Sequence, residues 1–485
     1  MNKKVTIRRL ATGVPGLDDL LGGGLPEFSF NLIAGTPGSG KTTMAHQIMF
    51  SLATPDCRAL FFTVLGEPPL KMLRYQQQFP FFDIDKINHS IKFVNLAADL
   101  LEGDFERVLA RIDEEVQKFA PSLVFVDSFR SVAQSAKSME AGAAGLQHFV
   151  QQLGTQMTSW QATTFLIGEY LAPEAESSPV FTVADGIFWL SQLVHRDAMI
   201  RKIQVVKMRG QAQSPGVHTF RISDEGVEVF PRALITSGML QQIHIEGDQR
   251  MSMGVPTLDE MLGGGLPVGY SLLIVGPSGS GKTVLATQFL AEGLRIGEAG
   301  VIAAFEKSPN QLLGKQLNQM VDRGEVGYIN TRTLDLSIDE ILHDMVAMIT
   351  KMKAKRVVID SLSGFELALA PVFREDFRDA LYRMVAVLTG MGVTVLMTAE
   401  MVDKYDSLSF CSYGNAFLAD AILLQRYVEI GGEFKRVMSV VKVRGSNHSK
   451  EIRFFEVEHD KIRIGATTSE YLGVLSGMPV LNPIG

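Results

Sequence analysis

The chain has 485 residues, is 46% hydrophobic and 20% charged, and carries a net charge of −7. That length predicts two to four domains with sizeable cores, and the acidic balance argues against non-specific nucleic-acid binding. The two cysteines, Cys57 and Cys411, lie far apart and outside any C-x-x-C pattern, so no disulfide framework or zinc site follows from them. The basic start MNKKVTIRRL leads into no apolar segment, and no run of about 18 apolar residues occurs, so a cytoplasmic protein without a membrane segment is expected.

In chain order the first landmark is TGVPGLDDLLGGGLP at Thr12–Pro26. An apolar run of strand length, Ser29–Ala34, leads into GTPGSGKT at Gly35–Thr42 and an amphipathic helix over Thr42–Ser51. The spacing then predicts a strand at Ala59–Leu65, a helix at Pro69–Phe79, a strand at Ile91–Leu96 and a helix at about Asp104–Phe119. An apolar run capped by Asp follows (LVFVDS, Leu123–Ser128), then a helix, a strand at Thr163–Gly168, and period-two stretches at Met199–Met208 and Val217–Phe230. A patternless stretch, about Ala233–Arg250, reads as a linker.

The order then starts again. MGVPTLDEMLGGGLP spans Met253–Pro267, an apolar run Ser271–Val275 precedes GPSGSGKT at Gly276–Thr283, and a helix covers Thr283–Gly293. Strands at Ala299–Phe305, Val326–Asn330, Arg356–Ser361 and Val393–Thr398 alternate with helices at Pro309–Val321 and Ile338–Lys351, before alternating stretches at Val437–Val443 and Ile452–Ile464. Gly13 and Gly254, and likewise Lys41 and Lys282, are 241 residues apart. A near-identity of 15 residues at a constant offset is duplication and not convergent composition. Two tandem domains, 1–240 and 241–485, are therefore expected. Each should be an α/β unit with a mostly parallel sheet, helices on both faces and antiparallel edge strands.

Both Gly-rich segments fit G-x-x-x-x-G-K-[ST], the phosphate-binding loop. Gly35, Thr36, Pro37, Gly38, Ser39 and Gly40 would curl backbone N–H groups around phosphate oxygens, as would Gly276, Pro277, Ser278, Gly279, Ser280 and Gly281. Lys41 and Lys282 would each place a cation on the β/γ-phosphates. Thr42 and Thr283 would offer hydroxyls to Mg²⁺, with Thr43 and Val284 opening the helix beside the anion. A chance Gly-rich turn is the bland alternative; two copies, each between a strand and a helix, argue against it.

Asp127 and Asp360 end buried strands, where ligands bind in open α/β sheets, and each is a candidate for holding Mg²⁺. Hydrolysis also needs a carboxylate to prepare water. Glu306, in AAFEKSP, ends the strand after the loop helix, and it is also a candidate metal ligand. Setting Pro68 against Pro309 puts Leu65 opposite Glu306 and Gly66 opposite Lys307, so Glu67 falls two places late, unless Gly66 bends the backbone to bring it in. Late in each repeat, Lys207-Met208-Arg209-Gly210 and Lys442-Val443-Arg444-Gly445 put Lys and Arg at i, i+2 on a strand, hence on one face. Two such cations could neutralise triphosphate charge; a solvated edge-strand pair is the bland alternative.

With these residues in hand, the chain resembles the KaiC family, two-lobed relatives of RecA known for the cyanobacterial clock. The likeness rests on the two GVPxLDxxLGGGLP segments, both loops, Glu306, VDS and IDS, both K-x-R-G pairs and AILLQRYVEIGGE at Ala421–Glu433. It implies RecA-like domains and a homo-hexameric double ring with ATP between neighbouring subunits. Lys207, Met208 and Arg209, or Lys442, Val443 and Arg444, would then contact a neighbour's nucleotide. The resemblance also implies a slow ATPase in the first half and reversible self-phosphorylation in the second. Three departures bear on this. Aligning on Asp420 puts Ala416 and Phe417 where the family has its Ser-Thr acceptors, leaving Ser409, Ser412 and Tyr413 as nearby hydroxyls. The family's paired glutamates are Leu65-Gly66 and Glu306-Lys307. Beyond SGMPVLNPIG the family's C-terminal tail, through which a clock partner acts, is largely absent, so a standard clock role is not expected.

The expectation is a KaiC-like, Mg²⁺-dependent ATPase working as a nucleotide-gated regulatory assembly, with the second repeat as main hydrolytic lobe and a protein signalling partner. One alternative is a Ser/Thr kinase with a non-standard acceptor. Another is a RecA-type DNA motor, which would need basic bore loops; Gln134–Gly145 and Lys404–Asn415, the candidate loops, are not basic.

Overall fold

The computed structural model describes residues 7–64, 69–101, 105–129, 142–171, 178–195, 198–233, 249–305, 315–330, 337–369, 371–374, 376–401, 419–476 and 479–482. Its contacts divide the chain into two compact units, Met1–Arg232 and Ala233–Gly485.

In the first unit the sheet strands are β1 (Phe30–Gly35), β2 (Ala59–Thr63), β3 (Ile91–Asn95), β4 (Leu123–Asp127), β5 (Thr163–Glu169), β6 (Gly186–His195), β7 (Ala198–Met208), β8 (His218–Ser223) and β9 (Gly226–Phe230). They form, among the described residues, a nine-stranded sheet in the order β9-β8-β7-β6-β1-β5-β4-β2-β3. From β6 to β3 the neighbours are parallel; β7, β8 and β9 add antiparallel. The loop strand β1 lies inside the sheet and is buried along its whole length, which is why it reads as a continuous apolar run.

Strand periodicity then builds two cores. Ile33, Phe61, Phe125, Phe165 and Ile167 face helix α1 (Lys41–Leu52), meeting its Met44, Ala45 and Ile48. Leu32, Leu60, Val124 and Leu166 face the other way, onto Val108 and Ile112 of α2 (Phe105–Phe119) and Val150 and Leu153 of α3 (Gly142–Ser159). On the α1 side the Phe125 and Phe165 rings stack at 4.6 Å. A fully buried Phe of this kind contributes about 1.5–3 kcal/mol.

The second unit repeats the plan with β10 (Ser271–Gly276), β11 (Gly300–Ala304), β12 (Val326–Asn330), β13 (Arg356–Asp360), β14 (Thr394–Glu400), β15 (Ala421–Ile430), β16 (Glu433–Val443), β17 (Ile452–Glu458) and β18 (Lys461–Thr467). Their order is β12-β11-β13-β14-β10-β15-β16-β17-β18. Helix α4 (Lys282–Arg295) covers one face through Leu285, Ala286 and Phe289; α5 (Ile338–Met352) and α6 (Phe377–Gly390) cover the other through Ile341, Met345, Leu381 and Met384. Two tandem RecA-like domains are the result. No helix among the described residues is long and apolar enough to cross a membrane.

Three details differ from the sequence reading. No strand was expected between 168 and 199, yet β6 runs there; its IFWLSQLV segment lacks the alternation that marks a half-buried strand. The stretches 217–230 and 452–464 are each a hairpin, the second turning at His459 and Asp460 with φ of 49° and 59°. Strands β5 and β14 run on past Gly168 and Thr398 to Glu169 and Glu400.

The units differ at a buried strand start. Where β4 begins with Leu123, β13 begins with Arg356, whose side chain is fully buried. Its guanidinium donates to Glu298 at 2.9 Å, to Ser252 O at 2.8 Å and to Phe289 O at 2.9 Å, tying the strand to α4 and to the segment before β10.

Candidate functional site: two phosphate loops at strand ends

Each loop leaves the carboxyl end of an interior strand. At Gly40 (φ 97°) a Cβ would come within 2.5 Å of Ile222 Cδ1, and at Gly281 (φ 104°) within 2.9 Å of Val457 Cγ2. Only glycine lets the backbone turn left-handed there and open the helix against the edge hairpin. The same cradle exposes backbone N–H groups at the amino ends of α1 and α4, the geometry that holds phosphate.

Lys41 is buried, and its Nζ donates to Thr36 O at 2.8 Å. Lys282 Nζ donates at 2.8 Å to both Gly276 O and Pro277 O. The two amines thus fold back over their own loops, where a triphosphate would replace carbonyl partners. Burial pushes the Lys41 amine below its ordinary pKa, while the charges of Glu169 and then Asp127 pull it back up. Inside the loops Ser39 Oγ donates to Thr36 O at 2.8 Å and Ser280 Oγ to Gln425 Oε1 at 2.9 Å, bracing the turns.

The threonine after each lysine meets the strand-end aspartate. Thr42 Oγ1 donates to Asp127 Oδ2 at 2.7 Å and Thr283 Oγ1 to Asp360 Oδ2 at 2.8 Å. Asp360 also accepts from Thr398 Oγ1 of β14. In the first unit the residue level with Asp127 on the neighbouring strand is Ile167, which offers no hydrogen bond. Asp127 keeps some solvent exposure at its surface, but protein surrounds its carboxyl; desolvation pushes its pKa up to about 6, against the Thr42 hydrogen bond and the Lys41 charge. The threonine hydroxyl and the aspartate carboxylate supply the oxygen ligands that suit Mg²⁺, while the nearby loop N–H groups suit the phosphate oxygens that would share it.

Two residues that the sequence reading passed over share this end of the sheet. Glu169 lies level with Gly35 in the β1–β5 register, and Glu400 level with Gly276 in the β10–β14 register. Comparing FLIGE with LMTAE across the repeats would have revealed them, since both strands end on the same acid.

The K-x-R-G pairs sit elsewhere. Strands β7 and β16 stop at Met208 and Val443, so Arg209 and Arg444 lie one residue past the strand and not on it, a correction to the i, i+2 reading. Lys207 donates to Thr182 O at 3.1 Å and Lys442 to Ala419 O at 2.7 Å. Desolvation, then the neighbouring arginine, lowers both lysine pKa values. Arg209 pairs with Asp185 at 3.1 Å and Arg444 with Asp420 at 3.2 Å, and both arginines are exposed. Met208 and Val443 turn into the cores, leaving only their backbones to meet a ligand. Met208 pairs with Gly186 at the start of β6, whereas Gly35 pairs with Leu190 four residues on. At about 3.3 Å per residue that is about 13 Å along the sheet, away from the unit's own loop.

Glu306 and Lys307, Leu65 to Pro68, residues 134–141 and 404–415, Ala416 and Phe417 lie outside the described residues, as does Cys411; Cys57 is a free thiol.

A tandem pair of RecA-type domains, each with a lysine-bearing phosphate loop joined to a strand-end aspartate, defines a P-loop ATPase architecture. The family model described as "ATPase: KaiC" matches residues 10–233 and again 251–469, and the chain belongs to that family. It is similar to the circadian clock oscillator protein KaiC 1 of Synechocystis sp., at 29% identity over 98% of this chain and 92% of that protein. It is also 28% identical to the circadian clock protein KaiC3 of the same organism, over 98% of this chain and 95% of that one. The circadian clock oscillator protein KaiC of Picosynechococcus sp. is 28% identical, over 98% and 92% respectively.

Proposed function

We propose that the chain binds Mg-ATP at both loops and hydrolyses it to ADP within a ring of like subunits, acting as a nucleotide-gated regulatory assembly. The observation that carries this reading is the repeated trio of lysine, threonine and strand-end aspartate, with the hydroxyl already on the carboxylate at 2.7 Å and 2.8 Å.

Lys282 would leave its loop carbonyls for the γ-phosphate, and Thr283 with Asp360 would hold Mg²⁺. The ion, when bound, would neutralise charge on the β- and γ-phosphates. Glu306 would orient the attacking water and accept its proton. The exposed Arg209, one residue past a strand end about 13 Å along the sheet from its own loop, and its counterpart Arg444 would serve a neighbour's nucleotide, which favours sites between subunits. Domains 1–240 and 241–485 would then each carry one nucleotide loop, its site completed by a neighbouring subunit.

The second lobe is the main hydrolytic one in this reading, because Glu67 is displaced by two positions relative to Glu306. Comparing steady-state turnover of Glu306→Gln and Glu67→Gln tests the division. Glu306→Gln should remove most turnover, by about 100-fold or more at the second site; unchanged turnover refutes it.

A further inference from the structure

We propose that Glu169 is a catalytic carboxylate of the first lobe, accepting the proton of the water that attacks the γ-phosphate. The inference rests on the nucleotide reading above and extends it to a residue no motif singled out. It answers a specific problem: the first lobe has no acid level with Glu306 on its β2 side.

Sheet order carries the argument. Strand β5 lies between the loop strand β1 and the aspartate strand β4. Its register sets Ile167 beside Asp127 and Glu169 beside Gly35, so Glu169 stands two residues beyond the aspartate. With strands about 4.8 Å apart and about 3.3 Å per residue, the two Cα atoms are about 8 Å apart. Orientation follows from the pleat: Phe165 and Ile167 pack on the α1 side, and Glu169 is next in that row, on the face where Thr42 of α1 meets Asp127. The strand end is pinned, because Tyr170 N donates to Gly35 O at 3.1 Å. Glu169 is an exposed residue, within reach of water. Its charge acts on Lys41 more strongly than that of Asp127 does. Glu400 repeats the placement, with Met401 N donating to Gly276 O at 3.2 Å, but there Glu306 is also in reach of the task by sequence position.

In the step proposed, the water oxygen bonds to the γ-phosphorus, the bond from that phosphorus to the β–γ bridging oxygen breaks, and ADP leaves with the bridging oxygen. The water proton passes to the Glu169 carboxylate and then to the released phosphate. A carboxylate so placed repels the ground-state triphosphate and helps only as the water proton becomes acidic. Its removal should therefore lower kcat without weakening ATP binding. A carboxylate that merely steadies Lys41 would do the reverse.

The test uses the full chain carrying Glu306→Gln, which leaves the first lobe to report. Single-turnover hydrolysis and ATP affinity are measured with and without Glu169→Gln, and with Glu169→Asp. The proposal expects Glu169→Gln to slow hydrolysis at least 100-fold with ATP affinity equal or tighter, and Glu169→Asp to restore part of the rate. It is overturned if the rate changes less than about twofold, if affinity falls in step with rate, or if the Glu306→Gln chain binds ATP at Lys41 without turnover. A parent that binds no ATP at Lys41 removes the nucleotide reading itself, and the proposal with it.

Discussion

The Thr283 hydroxyl donates to Asp360 Oδ2 across 2.8 Å, joining the first turn of α4 to the end of β13. Both groups are polar ends of otherwise apolar elements, and the sheet brings them together only because α4 packs across β13. A metal ion entering here would need both oxygens. Thr283→Ser keeps the hydroxyl and should hold Mg-ATP within a few-fold of the parent. Thr283→Val keeps the shape but removes the oxygen; loss of a hydrogen bond to a charged group, about 1.5–3 kcal/mol, corresponds to a loss of about 10-fold or more. Titrating a fluorescent ATP analogue with and without Mg²⁺ checks both, and equal Mg²⁺ dependence in Thr283→Val would refute the assignment.

Arg444 offers a test of completion by a neighbour. Lys282→Ala removes the loop cation and Arg444→Ala the exposed cation, so each chain alone should lose second-lobe turnover. In a head-to-tail ring, mixing the two leaves some interfaces with both groups intact. Random mixing of equal amounts gives about one interface in four, hence recovery towards about a quarter of parental turnover. If Arg444 served its own loop, no mixture would recover, and turnover would stay at the level of the separate variants.

His46 gives the first unit a pH dependence of its own; the matching residue in the second unit is Thr287. It is fully buried on α1, its ring stacks on Phe61 at 4.8 Å, and neither ring nitrogen has a hydrogen-bond partner among the described residues. Burial alone pushes its pKa down to about 3 from the ordinary 6.5. Because the folded value is depressed, its contribution is complete above pH 6.5 and is lost as pH falls toward 3, when the unfolded chain takes a proton the folded one refuses. One proton corresponds to about 1.4 kcal/mol per pH unit, so about 2 kcal/mol should be gone by pH 5. Both tryptophans, Trp160 and Trp189, lie in the first unit, so their fluorescence reports its unfolding. His46→Leu should flatten the drop in denaturant midpoint between pH 7 and pH 5; an undiminished drop would exclude His46 as its source.

Much of the fold was legible because two signals coincided. Buried parallel strands read as short apolar runs, and the repeat supplied a second copy for each. The Thr42–Asp127 pair was legible piece by piece, from a loop motif and a strand-end acid 85 residues apart. Glu169 escaped because apolar character fades at Gly168, although the backbone stays extended for one residue more. Strand β6 escaped because its apolar residues do not alternate: Ile187, Phe188 and Leu190 are buried, while Leu193 and Val194 further along are exposed. The distance between Arg209 and its own loop depends on the β6–β7 register, which no local pattern encodes.

The central claim is that one chain holds nucleotide twice, in sites finished by an adjoining subunit. Native mass measurement of the full chain, with and without Mg-ATP, addresses it most directly. The account predicts an assembly that forms or tightens with Mg-ATP and carries two nucleotides per chain, six chains being the number the family resemblance implies. A single chain under saturating Mg-ATP, or an assembly with both loops empty, would contradict it.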